Sequence, residues 1–178
     1  MDTVATHATD DEPQLLRRAR WGDEQAFALL YRRHAPAVHG LALRLTGNAA
    51  TAEDLTQEAF LRMVRFIGGL QADRPLRPWL KRVVANAAVD LFRRQGRLED
   101  AGDREWPEPG PGPEQHAEAD AVLRRLPPLV RTVLWLHQVE GWTHAELGRR
   151  FGRSESWSKS LVARALERMR EHTGEASQ

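Results

Sequence analysis

Residues 94–115 read RQGRLEDAGDREWPEPGPGPEQ, and this stretch constrains the fold more than any other. It is rich in Gly, Pro and acidic residues, holds a single aromatic, Trp106, and cannot bury a core, so it reads as a linker. On both sides of it apolar residues recur at helical spacing, and no alternating pattern suggests a series of strands. A chain of 178 residues divided in this way suits two small all-α domains. The expected divisions are a disordered N-terminus over 1–11, a helical bundle over 12–96, the linker over 97–114, a helical domain over 115–173 and a disordered tail over 174–178.

Local signals place the helices. A short one is expected over 12–20. Asp23 caps a longer one toward Leu45, bent near Pro36 and stopped by Gly47-Asn48. Thr51 and Asp54 suggest a capping box for a helix that runs to Ile67 and breaks at Gly68-Gly69. Pro78, at the first helical position, starts the next, which runs to Gln95. Beyond the linker, helices are expected over 115–125, 128–139, 144–150 and 155–172. Thr143 and Glu146 form a second capping box, Gly148 permits close helix approach, Gly152 turns the chain and Ser154 caps the last helix. This is the grammar of a helix-turn-helix.

Net charge is only +1, from 26 Lys and Arg against 25 Asp and Glu. The distribution says more than the total. Between 74 and 97 the charged residues are Arg74, Arg77, Lys81, Arg82, Arg93, Arg94 and Arg97 against Asp90 alone, and an acidic block follows in the linker. Because salt screens charges beyond roughly 8–10 Å, a phosphate backbone responds to the local block rather than to the sum. There is no cysteine, which excludes disulfides and thiol chemistry. No apolar run approaches the roughly 20 residues of a membrane span. The acidic start lacks the apolar core of a signal peptide, so a cytoplasmic protein is expected. The histidines, at 7, 34, 39, 116, 137, 144 and 172, lack metal-ligand spacing, and no phosphate loop or nucleophile elbow occurs. No cofactor, metal, small-molecule substrate or enzymatic activity is expected.

Three surfaces carry the functional readings. In PWLKRVVANAAVDLFRRQGR, residues Trp79, Leu80, Val83, Val84, Ala87, Ala88, Leu91 and Phe92 form an apolar stripe. Arg82, Asn86, Asp90, Arg93 and Arg94 share the opposite side, suited to phosphates and base edges or simply to solvent. In TAEDLTQEAFLRMVRFI, residues Leu55, Ala59, Phe60, Met63, Val64 and Ile67 are expected to face inward. Asp54, Gln57, Glu58 and Leu61 point elsewhere together. Early acids suit the helix dipole, while a mixed acidic and apolar patch also suits protein docking. In the helix-turn-helix, Ser156, Trp157, Lys159, Ser160 and Arg164 would lie on the recognition helix, flanked by Arg149, Arg150 and Arg153. An ordinary helical hairpin reads the same way.

Together these motifs resemble the extracytoplasmic-function group of bacterial RNA polymerase sigma factors. AEDLTQEAFLRM resembles the family's polymerase-docking helix, RPWLKRVVANAAVDLFRRQGR its promoter-melting helix, and the run from LRRLPPLV to ALERMRE its fourth region. The resemblance implies docking to core RNA polymerase through Glu53, Asp54, Gln57, Glu58 and Leu61. It implies capture of a flipped minus-ten base by the loop around Asp73, Arg74 and Arg77, with promoter DNA contacts from Lys81, Arg82, Asn86, Asp90, Arg93, Arg94 and Arg97. The minus-thirty-five element would be read by Ser154, Ser156, Trp157, Lys159, Ser160 and Arg164, with Arg149, Arg150 and Arg153 on phosphates. It also implies a linker that threads toward the RNA exit channel, and an anti-sigma partner.

The recognition helix departs from the family pattern. Ser156, Trp157 and Ser158 replace the usual glycine, threonine and valine, Leu161 and Leu166 stand where arginines are common, and Arg153 takes a usually apolar place. Ser158 would turn its hydroxyl into the core, where an unpaired one costs roughly 1–3 kcal/mol. Trp157 either packs or contacts DNA. A plain helix-turn-helix regulator would need only the C-terminal half, and a helical interaction module would need no nucleic acid.

Overall fold

The computed structural model describes residues 11–95, 123 and 125–175. All regular structure among them is helical: α1 (Glu12–Arg20), α2 (Glu24–Thr46), α3 (Ala49–Phe66), a single 3-10 turn (Ile67–Gly69), α4 (Leu76–Arg94), α5 (Pro128–Gln138), α6 (His144–Phe151) and α7 (Glu155–Glu175). The expected linker, Arg97, most of the 115–125 helix and the two chain ends lie outside the described residues.

In the N-terminal domain α2 is central and packs against α1, α3 and α4. Asp23 starts it by accepting the N–H groups of Gln25 and Ala26. Those bonds, with Arg18 beside the carboxylate, hold the Asp23 pKa below its usual value. The helix continues through Pro36 and ends on the left-handed Gly47. Leu30, Val38, Leu41, Phe60, Met63, Leu80, Val84 and Phe92 fill the space between these helices.

Several local expectations are corrected. Asn48, not Thr51, caps α3: its side chain accepts the Thr51 N–H, so the helix starts at Ala49 and the Thr51–Asp54 box does not open it. The helix after the loop begins at Leu76, which puts Pro78 third rather than first. First-turn N–H groups lack intrahelical acceptors, so a proline costs no hydrogen bond there either. Val64 is 49% exposed instead of inward, because Leu55, Ala59, Phe60 and Met63 already fill the contact with α2 and α4. α7 runs to Glu175, into the expected tail.

In the C-terminal domain, α5, α6 and α7 pack on one another. Both parts of the Thr143–Glu146 capping box are present, and the Ser154 hydroxyl accepts the Trp157 N–H at 3.1 Å. Gly148 is required by close approach: a Cβ there would lie 2.8 Å from the Arg153 carbonyl oxygen. The Ser158 hydroxyl is fully buried but not unpaired. His144 Nδ1 lies 3.1 Å from it, supplying the partner that the sequence did not reveal. Leu161, where the resemblance leads one to expect arginine, is fully buried and serves as a core position.

The two domains are in contact. α5 packs against α2 and α4, α6 touches α4, and the buried residues of both domains form one continuous cluster.

Candidate functional site

On α3, Glu53, Asp54, Gln57 and Leu61 are exposed and Glu58 is half-buried. Leu61 is 58% exposed, and with Val64, one turn along, it forms an apolar border to the acidic residues. Gln57 donates to Glu53, and Arg62 pairs with Glu58 one turn along the helix. Such exposed pairs contribute little to stability and yield readily to a partner. Helix periodicity brings these five positions to one side, as expected from the sequence.

On α4, Arg77, Arg82, Arg93 and Arg94 are exposed, while Lys81, Asn86 and Asp90 are half-buried. Asp73 and Arg74 lie exposed in the preceding loop. A cleft of about 550 Å³ opens where that loop meets the helix. Its walls include Leu70, Gln71, Arg74, Trp79, Arg82 and, from the C-terminal domain, Glu140.

The C-terminal domain meets this face directly. Arg150 Nη2 lies 2.8 Å from Asp90 Oδ1, so two residues expected to serve different DNA elements pair with each other. Glu140 Oε2 lies 3.9 Å from Arg82 Nε. Trp135 has Lys81 and Arg44 each within about 6 Å of its ring centre, within reach of a cation–π attraction. Arg131, only 6% exposed, donates to the Arg44 carbonyl at 2.7 Å, in the last turn of α2. A guanidinium at a helix C-terminus satisfies an orphan carbonyl and opposes the dipole. Gly47 accommodates it, since a Cβ there would lie 2.8 Å from Arg131 Nη2. Arg131, Trp135 and Glu140 were missed from the sequence. Nothing local distinguishes an arginine that will cap a helix 87 residues away.

On the helix-turn-helix, Arg149, Arg153, Ser154, Ser156, Lys159 and Ser160 are exposed, and Arg150, Trp157 and Arg164 are half-buried. Lys159 pairs with Glu155 at 2.6 Å, and that bond and charge hold the Glu155 pKa below its usual value. Trp157 rests on Phe151, ring centres 5.4 Å apart, a contact that favours the packing reading. His144, beneath the recognition helix, has its pKa lowered first by burial and then by the neighbouring charges of His137 and Lys159. No group of three or more metal-type ligands exists among the described residues, and no helix among them is long and apolar enough to cross a membrane.

Comparison with known proteins places both halves of the chain in one family. The family model Sigma-70 region 2 matches residues 30–98, and Sigma-70, region 4 matches residues 116–169. RNA polymerase sigma factor CarQ of Myxococcus xanthus is 35% identical over 168 residues, 90% of this chain and 96% of its own. ECF RNA polymerase sigma factor SigM of Mycobacterium tuberculosis is 32% identical over 161 residues, 89% of this chain and 82% of its own. The structure of CnrH in complex with the cytosolic domain of CnrY is similar in fold, with a TM-score of 0.52 at 24% identity, over 93% of this chain and 98% of that one.

Proposed function

Because this chain belongs to the extracytoplasmic-function group of RNA polymerase sigma factors, we propose that it docks on core polymerase through α3 and reads promoter DNA through α4 and α7. It acts in the cytoplasm as a regulatory subunit, not as a catalyst. Asp54, Gln57 and Glu58 meet a basic surface of the polymerase, and Leu61 adds apolar contact. The cleft beside Arg74 and Trp79 receives a flipped minus-ten base, whose unstacking costs a few kcal/mol that contacts in the pocket offset. Arg82, Arg93 and Arg94 hold the phosphates of the opened strands, and Asn86 is placed to bond a base edge. On α7, Ser156, Lys159 and Ser160 enter the major groove, with Arg149 and Arg153 on the backbone. Lys159 must leave Glu155 to do so.

In this reading the closed arrangement belongs to the free protein. Polymerase binding draws the domains apart, which releases Asp90 from Arg150 and Arg82 from Glu140. An anti-sigma partner completes the picture, with Leu61 and Val64 offering it apolar surface beside the docking residues.

The observation that carries the reading is the placement of an exposed acidic face on α3 and a basic face on α4 within one helical bundle. The test mixes the purified chain with sigma-free core polymerase and follows co-elution and run-off transcription from the promoter of its own operon. A defined transcript start is expected. Salt-sensitive DNA binding by the chain without co-elution would instead identify a plain helix-turn-helix regulator.

A further inference from the structure

Glu12, Leu16 and Arg20 are spaced four apart on α1 and so share one face of that helix. All three turn toward the segment between the 3-10 turn and α4. The Glu12 carboxylate accepts the Leu76 N–H at 2.7 Å, taking an orphan donor at the start of α4 from 64 residues away. Its other oxygen lies 2.8 Å from the Nε2 of His34, which is buried. Arg20 donates to the carbonyls of Ile67, at 3.2 Å, and Leu70, at 2.6 Å. Between these two anchors Leu16, only 1% exposed, lines the cleft.

We propose that α1 is a brace for the minus-ten loop, with Glu12 and Arg20 as positioning residues that set the shape of the cleft and so its choice of base. This rests on the reading of that loop as the minus-ten element's partner. The dimensions explain why a brace is needed. At the rise of an α-helix, Glu12 and Arg20 stand about 12 Å apart along the axis. The six steps from Leu70 to Leu76 could span roughly 20 Å if extended. The loop therefore has slack, and within it the described internal backbone bond is from the Arg74 N–H to the Gln71 carbonyl, at 3.1 Å. Holding both ends from one rigid helix converts that slack into a fixed arch over Leu16.

The test uses holoenzyme reconstituted from the full chain and core polymerase, with the operon promoter and single-base variants of its minus-ten element. Glu12→Gln, Arg20→Ala and Arg20→Lys are compared with Arg74→Ala, in the loop itself. The account expects Arg20→Ala to narrow the preference for the native base about fivefold, the scale of one net hydrogen bond. Arg20→Lys should recover part of it, Glu12→Gln should narrow it less, and co-elution with core should be unchanged. If Arg74→Ala narrows the preference while the α1 variants leave it intact, the brace is refuted and the minus-ten reading stands. If the α1 variants reduce transcription equally from every promoter, α1 is only structural support and the proposal is overturned. If Arg74→Ala also leaves the preference unchanged, the loop reading fails and the brace with it.

Discussion

The N-terminal domain presents two polar helix faces of opposite charge that are equally plain in sequence and differ in what meets them. On α3, Asp54, Gln57 and Leu61 stand open, and among the described residues the polar partner of Glu58 is Arg62 of its own helix. On α4, Lys81, Arg82 and Asp90 each meet a residue of the C-terminal domain: Trp135, Glu140 and Arg150. Charge and periodicity define both faces but do not tell which is available. In the proposed mechanism the difference gives an order of events, in which a polymerase surface docks on α3 before DNA reaches the centre of α4.

The size of the covering contacts supports that order. The Arg150–Asp90 pair is about one-third exposed at both ends, so it is worth at most about 1 kcal/mol. The buried Arg131 bond is charge-assisted and worth about 1.5–3 kcal/mol. These polar contacts are modest beside the apolar cluster that the two domains share, so in the proposed mechanism polymerase binding must also offset that buried contact.

The largest expected effect is on the open face. Asp54→Lys combined with Glu58→Lys should weaken co-elution with core polymerase about a hundredfold or more, since reversed charges at a docking surface cost several kcal/mol. The helix content by circular dichroism should not change. Retained co-elution would remove α3 from the comparison.

On the covered face, Arg131→Met removes the α2 cap while keeping bulk. The expected result is a larger radius of gyration by small-angle scattering, and binding of promoter DNA by the chain alone that is stronger by about tenfold, the equivalent of roughly 1.4 kcal/mol. An unchanged radius would show that Arg131 does not hold the domains together.

Acid should loosen each domain from within. His34 is kept below its ordinary pKa of 6.5 by burial, against the opposing pull of Glu12, and His144 by burial and then by His137 and Lys159. Both native pKa values lie below their unfolded ones, so the unfolded chain binds more protons on acidification. Stability is therefore at its full level above about pH 6.5, declines as pH falls from there toward the native pKa values, and levels off below them. The urea midpoint should drop between pH 7.5 and 5.5, and His34→Gln or His144→Gln should each flatten that slope. A pH-independent midpoint in the unsubstituted chain would contradict this.

The smallest effect belongs to the exposed pair. Asp90→Arg or Arg150→Asp alone should open the domains about two- to fivefold, and the double swap should restore the closed population. Absence of that restoration would mean that the pair is incidental.

What was legible in the sequence was local. Asp23, Thr143 with Glu146, and Ser154 act within four residues of themselves, and each caps the helix that its position announced. The apolar stripe of α4 was legible for the same reason. The α3 start was misplaced because Asn48 and Thr51 are both good caps, and only the left-handed Gly47 before Asn48 decides between them. Contacts that joined distant segments left no local signal: Glu12 with Leu76, Arg131 with Arg44, and His144 with Ser158. The candidate faces were legible in their exposure, but which of them the C-terminal domain covers was not.

The most direct test of an open α3 and a covered α4 follows the distance between the domains. The chain has no cysteine, so Gln25→Cys and Glu167→Cys provide two exposed labelling positions away from the proposed contacts. Energy transfer between them should be efficient in the free protein, persist when promoter DNA alone is added, and fall when core polymerase binds. Weak transfer in the free protein, or a fall on adding DNA without polymerase, would contradict the account.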